Sequence, residues 1–506
     1  MALADPAPVS RPATSQRPIR TSRAAVLLAT GAVVASLALY VRPLLTAVLA
    51  QDDFQILAQS WTWRRTVQGL WLPNNEHAMP LGRLWTFAVA QAAGRMAVLP
   101  FAGVLSGCLG LVIALALVYC FVRRELGHSF YGLAALILFG VTAVYQQAVY
   151  WFAAGFSVFA LDTVLLALLA AQQYRRTGLL QWLLACSVGC ALAPCWFASG
   201  VLAGPLCCLY LASGRREPAD EPLSAGSRRP LAVLPLLTPL LGTAAFLAVS
   251  LPQTAAIIQN LEHYRAQNRT AVEAFQPLVG AWYTCRSVVD NLAPGAVGVT
   301  GVTVGPFFAL PLFAGLVAVG IWWARRSLRR RLALVGAGLI LGSYLLIYSG
   351  RAMLDYDRSG LYTATWCRYH LQPQLGLVLL VCGGLPAWDG RWFRLDAAGR
   401  LTRGQARALA CLLAVCFLIQ APRGLFCYYP SNPRQALTLD LIDRADAFCK
   451  ERHISAETAR QDMATLRIFR MPESSTVIDG WEFLRGSDEP QDWTPEEVRA
   501  MMEAER

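Results

Sequence analysis

The chain is short of charge. Of its 506 residues only 15% are Asp, Glu, Lys or Arg, where a soluble protein carries about 25%. That shortfall excludes an ordinary soluble fold. Lysine is almost missing: Lys450 is the only one, the rest of the positive charge is arginine, and a GC-rich coding composition accounts for the bias. No Cys-x-x-Cys pair and no Cys/His cluster has zinc spacing, so no metal centre is read here. There is no internal or inverted repeat of the transporter kind. Apart from Asp162 the apolar stretches hold almost no acid, which counts against a path for ions or substrates through the membrane.

What the chain does have is apolar length. It is 56% hydrophobic, and the apolar residues fall in blocks of roughly 18 or more, enough to cross ~30 Å of hydrocarbon. This is the composition of a polytopic membrane protein. The net charge of +12 does not point to nucleic acid, because a nucleic-acid binder gathers its basic residues on one face or tail. Here they form short clusters between apolar blocks, the positive-inside pattern. Most of the fourteen cysteines, Cys186, Cys190 and Cys207 among them, lie inside apolar blocks and read as small hydrophobes. Cys285, Cys367, Cys427 and Cys449 fall in loops placed outside, where a disulfide can form but no pairing is legible.

Residues 1–23, with Arg11, Arg17, Arg20 and Arg23 among Pro, Ser and Ala, read as a disordered cytoplasmic tail. The first block lacks a small-residue cleavage site, so it reads as an uncleaved first helix. Spans are expected near 24–50, 99–122, 130–147, 156–171, 179–194, 197–213, 231–250, 302–324, 332–349, 372–388 and 408–421. With the N-terminus inside, Arg123-Arg124, Arg175-Arg176, Arg215-Arg216 with Arg228-Arg229, Arg325 to Arg331, and Arg391 to Arg407 all land on the cytoplasmic side. Pro194-Cys195-Trp196 is the weak joint: if 179–213 is one kinked helix, everything downstream inverts. The expected fold is an all-α polytopic membrane protein of about eleven helices. A transmembrane module, 24–421, carries outer loops 51–98, 251–301 and 350–371, and an extracytoplasmic segment, 422–506, follows it.

The chemistry concentrates in those outer segments. Gln51-Asp52-Asp53-Phe54 directly follows the first block, and two adjacent acids at a membrane boundary are costly unless they have a task. Trp71-Leu72-Pro73-Asn74-Asn75-Glu76-His77-Ala78-Met79-Pro80 is rich in polar and aromatic groups. A sugar carried on a polyprenyl phosphate already has its leaving group, since phosphate departs without a proton donor. An enzyme using it needs a carboxylate to take a proton from the acceptor hydroxyl and cations to hold the phosphate as it gains charge. Asp52 and Asp53 supply the first. Arg351, Arg358 and Arg368, beside Tyr369 and His370, can supply the second through the planar guanidinium fork. Neighbouring residues point about 100° apart on a helix, so the two aspartates should differ in role, one as base and the other as orienter or metal ligand.

An N-terminal helix, an acidic pair opening the first outer loop, a multi-span body and an outer C-terminal segment resemble the GT-C glycosyltransferases. Within that superfamily the chain is similar to bacterial members related to protein mannosyltransferases and lipid A aminoarabinose transferases. The likeness rests on Asp52-Asp53-Phe54, then on Asn75-Glu76-His77 with Pro80 and on Tyr150-Trp151-Phe152-Ala153-Ala154-Gly155. The family's acidic pair is often Asp-Glu, so Asp-Asp departs from it. The resemblance implies an inverting transferase with the first acid as base, taking a polyprenyl-phosphate-linked sugar to a glycan, lipid or protein acceptor at the outer face of a bacterial plasma membrane. Relatives of the oligosaccharyltransferase type use a divalent cation and carry a Trp-Trp-Asp-Tyr signature. This sequence has no such signature, so the expectation is a site without a metal or other cofactor.

Each residue also has a plainer reading. The acidic pair could cap the helix it opens. Glu76 and His77 could be solvated loop residues, the arginines could meet lipid headgroups or Asp355 and Asp357, and Tyr150-Trp151-Phe152 could be an interfacial aromatic belt. Two other functions fit the same outline: a polysaccharide polymerase or ligase, and a carrier of lipid-linked glycans that does no chemistry.

Overall fold

A computed structural model of the chain describes residues 23–49, 51–74, 77–213, 233–258, 276–299, 303–326, 330–356, 367–384, 401–426, 467–470 and 477–479. The protein is a helical, multi-pass membrane protein. In chain order the first helices are α1 (Arg23–Ala38), α2 (Val41–Leu45), α3 (Gln51–Ser60), α4 (Trp63–Gln68) and α5 (Pro80–Ala93). Then come α6 (Leu99–Leu126), α7 (Ser129–Gly140), α8 (Gln146–Tyr150), α9 (Phe152–Thr177), α10 (Leu180–Trp196), α11 (Ala203–Ala212) and α12 (Leu234–Ile258). The last are α13 (Pro277–Arg286), α14 (Ala293–Ala296), α15 (Pro306–Arg326), α16 (Arg330–Tyr356), α17 (Leu371–Gly384) and α18 (Arg403–Phe426). The strands among the described residues, β1 (Arg467–Arg470) and β2 (Val477–Asp479), pair antiparallel. Most of the segment 422–506, residues 437–448 included, lies outside the described residues.

Six helices (α6, α9, α12, α15, α16 and α18) are long and apolar enough to cross a membrane, and α1, α7, α10 and the 198–212 segment are shorter apolar helices. With α17 they match the expected spans one for one. The packing is graded. In the most apolar part of α9, 83% of residues are buried inside the protein, against 6% in α15. So α9 is the central post, and α15 presents its side chains outward, as a lipid-facing helix does. Lipid tails give helices no hydrophobic reason to associate, so contact depends on close approach through small residues. At the α16/α17 crossing a Cβ added to Gly336 would sit 2.5 Å from the Gly376 carbonyl, and one at Gly376 equally close to that of Gly336.

The arginine clusters meet at one end of the bundle. Helices α6 and α9 both finish in an arginine pair followed by a left-handed glycine, Gly127 (φ 76°) and Gly178 (φ 69°). Cations there suit the negative end of the helix dipole. Buried Glu125 accepts hydrogen bonds from Tyr210 Oη (2.6 Å) and Gln172 Nε2 (2.8 Å) and pairs with Arg331 (3.4 Å). Arg175 donates to the carbonyls of Tyr210 and Leu211 (3.3 and 3.2 Å), and Arg176 to that of Arg124. The ends of α6, α9 and α11 and the start of α16 are thereby tied together.

That tie resolves the weak joint at Pro194. With α11 ending beside the end of α9, α10 and α11 must run in opposite senses. Phe197 takes an extended conformation between them (φ −162°, ψ 148°), and the 3₁₀ turn Ala198–Leu202 starts the return. The segment 179–213 is two helices.

Two expectations on the N-terminal side need correcting. The first block is not one long span: α1 ends at Ala38 and the chain breaks at Leu39-Tyr40 before α2. The segment 51–98 is not an open loop, because α3, α4 and α5 fold it into a small helical unit. Thr62 caps α4 by accepting from the Arg65 backbone N–H (3.3 Å), and Pro80 opens α5, where its missing N–H costs nothing. The unit is organised around Arg83, which is fully buried and donates through Nε and Nη2 to the Leu72 carbonyl (3.2 and 2.6 Å). Burial lowers the Arg83 pKa to about 10.

Candidate active site

The N-terminus of α9 is where the singled-out residues converge. Asp53, in the first turn of α3, is fully buried, and its Oδ1 accepts a hydrogen bond from the Ala153 backbone N–H at 2.7 Å. Trp151 precedes α9 and offers no side-chain cap. A carboxylate from 100 residues away therefore satisfies one of the open N–H groups, at the positive end of the dipole. Asp53 thus caps a distant helix, α9, and not the helix it stands in. Asp52 is its neighbour on α3, within the described backbone; its side chain lies outside the described residues.

From the other side comes Arg368, in the turn Cys367–His370 that leads into α17. Its guanidinium lies 4.4 Å from the centre of the Trp151 ring and 4.9 Å from that of Tyr369, and Nη2 is 3.4 Å from the Tyr369 hydroxyl. Stacking on aromatic faces holds a cation in place while leaving donors for an anion. Asp53 on Ala153 and Arg368 on Trp151 are thus two residues apart along one helix start.

Beside them is a cavity of about 240 Å³, at the end of the bundle opposite the arginine ring. Its wall includes His77, Ser157, Phe197, Ser199, Arg368 and Tyr369. Ser157 lies one turn beyond Ala153, on the same face of α9. His77 is placed by a pair of backbone hydrogen bonds with Asn74 (2.8 and 3.0 Å), and its ring packs on Phe197 at 4.5 Å. Gln372 stiffens the far wall, accepting from Ser343 Oγ (3.0 Å) and donating to the Ser199 carbonyl (3.4 Å). Among the buried polar atoms with no hydrogen-bond partner in the described residues are the Ser199 hydroxyl in the wall and the Trp151 indole N–H under Arg368. Unsatisfied groups of this kind mark a place where a polar ligand or water completes the set.

Three of the expected binding residues, His77, Arg368 and Tyr369, therefore share one cavity. His370 does not line it. It is buried behind the turn with Nδ1 2.9 Å from the Tyr344 hydroxyl, and burial, aided by Arg423, lowers its pKa to about 3. Arg351 is on the last part of α16 with its side chain outside the described residues; Glu76 and Arg358 lie outside them altogether. In the outer segment 251–301, Arg286 is occupied locally: it pairs with Asp290 at 2.6 Å, and it also donates to the Val304 carbonyl. His263 and Arg265 lie outside the described residues, as do Cys427 and Cys449. Cys285 and Cys367 are free thiols.

One residue was only loosely placed by sequence reasoning and one was missed. Trp151 stood in the stretch that carries part of the family likeness, with an aromatic belt as its plainer reading, and nothing local distinguishes a lipid-facing Trp from one under a guanidinium. Arg423 fell in the segment 422–506, just past the last expected span, and was not singled out. It reaches Cys367 Sγ at 3.5 Å, so a second guanidinium borders the same turn as Arg368. No carboxylate pairs with it among the described residues.

No family model matches the sequence, and no curated protein matches it. Among solved structures, the chain is similar to the apo crystal structure of the Archaeoglobus fulgidus oligosaccharyltransferase, with 12% identity and a TM-score of 0.46 over 90% of this chain and 61% of that one. It is also similar to the oligosaccharyltransferase AglB of A. fulgidus in complex with an inhibitory peptide and a dolichol-phosphate, with 12% identity and a TM-score of 0.42 over the same shares. The chain spans about 61% of the length of these proteins.

Proposed function

We propose that the chain is a membrane glycosyltransferase of the GT-C type. It moves a sugar from a polyprenyl-phosphate donor to an acceptor hydroxyl at the outer face of a bacterial plasma membrane. The observation that carries the reading is the meeting of the acid helix α3 and Arg368 at the start of α9, beside a cavity at the end of the bundle away from the arginine ring. The positive-inside rule puts the arginine ring in the cytoplasm and hence the cavity outside.

In this reading Asp52 is the base. It takes the proton of the acceptor hydroxyl as that oxygen bonds to the anomeric carbon from the face opposite the phosphate. The bond from that carbon to the phosphate oxygen breaks, the configuration inverts, and the lipid phosphate leaves with the electron pair. Arg368 meets the charge that develops there, pre-positioned on Trp151 and Tyr369, which is where electrostatic stabilisation is most effective. Arg423, and Arg351 or Arg358, extend the cationic surface. His77, with Glu76 beside it in the chain, borders the sugar. Asp53 orients by holding the start of α9. The acceptor is a glycan, a lipid or a protein. The expected chemistry needs no metal, and transfer that survives chelation of divalent cations is its check.

A carrier of lipid-linked glycans has one feature in its favour. Asp162 is buried within α9 with neither carboxylate oxygen partnered among the described residues, as proton-coupled carriers require. Asp162 does not line the cavity, so the transferase reading comes first. The experiment is single-turnover transfer by Asp52→Asn in proteoliposomes. Transfer falls on the order of 100-fold with donor binding little changed if Asp52 is the base; near-normal transfer removes the reading.

A further inference from the structure

Three thiols from two spans come together toward the arginine end. Cys186 and Cys190 are one turn apart on α10, and Cys207 is on α11. The reversal at Phe197 folds α11 back against α10, and the three Sγ atoms lie within 4.8 Å of one another. All three side chains are fully buried. We propose that Cys186, Cys190 and Cys207 form a binding site for a soft d¹⁰ cation, Cu(I). The site shares no residue with the cavity and does not rest on the transferase reading.

Packing alone gives a weaker account of the trio. The tight approaches in this part of the bundle are made by glycine: Gly189 against Ala167, Gly204 against Thr243, and Gly242 against the Ser187 carbonyl. The cysteines instead converge on one another.

The donor set selects the metal. Thiolates without other ligands favour Cu(I) or zinc, and a closed zinc site takes four ligands. Among the described residues no fourth His, Cys, Asp or Glu joins the three, and the Thr243 hydroxyl on the neighbouring α12 is engaged with the Cys190 carbonyl at 3.4 Å. Three sulfurs about 2.3 Å from a shared ion would be roughly 4 Å apart, inside the observed 4.8 Å limit. A trigonal set of three suits Cu(I).

Charge decides whether such a site is tolerable in an apolar bundle. Each ligating thiol gives up its proton, so the loaded centre is anionic, and a lone buried anion is costly. Cys207 is one turn from Tyr210, whose carbonyl accepts from Arg175, and Arg331 joins the same network through Glu125. Two arginines against one acid leave that network net positive, and it begins at Tyr210, the next turn of α11 after Cys207.

The test uses the reduced full chain in detergent micelles, titrated with Cu(I) in competition with a chromophoric Cu(I) chelator and, in parallel, with Zn(II). The expected result is one Cu(I) per chain drawn from the chelator, with near-ultraviolet thiolate-to-copper absorption and proton release. Cys186→Ser, Cys190→Ser and Cys207→Ser should each lose that uptake at an unchanged melting midpoint, while Cys208→Ser keeps it. No uptake from the chelator overturns the proposal. So does uptake that survives in folded Cys186→Ser or Cys207→Ser, which would mark adventitious binding at other thiols. Binding of Zn(II) but not Cu(I) overturns the assignment of the ion.

Discussion

Replacing Asp53 separates an orienting carboxylate from a chemical one. Its Oδ1 meets the Ala153 N–H at 2.7 Å in a fully buried position. A hydrogen bond to a charged group contributes about 1.5–3 kcal/mol, and a carboxylate at a partly buried helix N-terminus adds up to ~2 kcal/mol. The two overlap, so Asp53→Ala should cost about 2–4 kcal/mol. Asp53→Asn keeps an oxygen acceptor and loses the charge, for about 1 kcal/mol. In a chain of 506 residues those losses lower the melting midpoint by roughly 2–4 °C for Ala and about 1 °C for Asn. Because Trp151 stands two residues before Ala153, loosening the start of α9 also loosens the seat of Arg368. Donor affinity should therefore fall in step with stability, Ala below Asn. The assay is thermal unfolding in micelles together with donor binding and single-turnover transfer. Two results refute the reasoning: a midpoint unmoved in Asp53→Ala, or Asn and Ala proteins equally inert while fully folded and binding donor normally. The second would make Asp53 the base.

Further outcomes follow from other contacts. Arg368→Ala should weaken donor binding more than acceptor binding, and Trp151→Ala should do the same by about 2–30-fold, the equivalent of a ~0.5–2 kcal/mol cation–π contact; equal effects on both substrates would remove Arg368 from the donor site. Glu125→Gln should destabilise the bundle by about 2–3 kcal/mol, because the amide keeps one oxygen for Tyr210 and Gln172 but turns a donor toward Arg331 and leaves it without its carboxylate, read as a lowered melting midpoint. Reporter fusions after Arg124, Arg216 and Arg331 should report cytoplasm and one after Gly424 the outer side; a cytoplasmic Gly424 fusion would break the eleven-span topology. His370 carries a native pKa of about 3 against an ordinary 6.5. Its contribution to stability is complete above pH 6.5 and is lost as pH falls toward 3, since only the unfolded chain takes up the proton in that window. His370→Gln should flatten that part of the stability–pH curve, and an unchanged curve would show that the imidazole is not held neutral.

The spans were legible because apolar length and arginine pairs are local signals. Arg123-Arg124 and Arg175-Arg176 mark the ends of α6 and α9 to within a few residues, and Gly127 and Gly178 complete the stops. The length of the first block and Arg42-Pro43 pointed to an interruption, but its place at Leu39-Tyr40 was not legible, because Val41, Leu44 and Leu45 continue the apolar run past it. The helices of 51–98 were hidden for the opposite reason: α3 and α4 are short and mixed in polarity, with no apolar run to betray them. Asp52-Asp53 drew attention by cost and placement. That Asp53 would reach Ala153, and Arg368 reach Trp151, depends on contacts 100 and 217 residues apart in the sequence, which no spacing encodes. The thiol trio was invisible for the same reason, since its third member crosses the turn at Phe197.

The central helix α9 connects the two ends of the molecule as a single rod. Its 26 residues span ~39 Å, from Phe152 beside the cavity to Arg175 and Arg176 in the opposite ring. A tilt of about 5° pivoting at the ring would carry the Phe152 end by ~3 Å, comparable to the whole separation between Arg368 and the Trp151 ring. Substitutions at Glu125 or Gln172, a membrane's width from any substrate, should therefore register in donor affinity. A double-mutant cycle between Gln172 and Arg368 would measure that leverage directly.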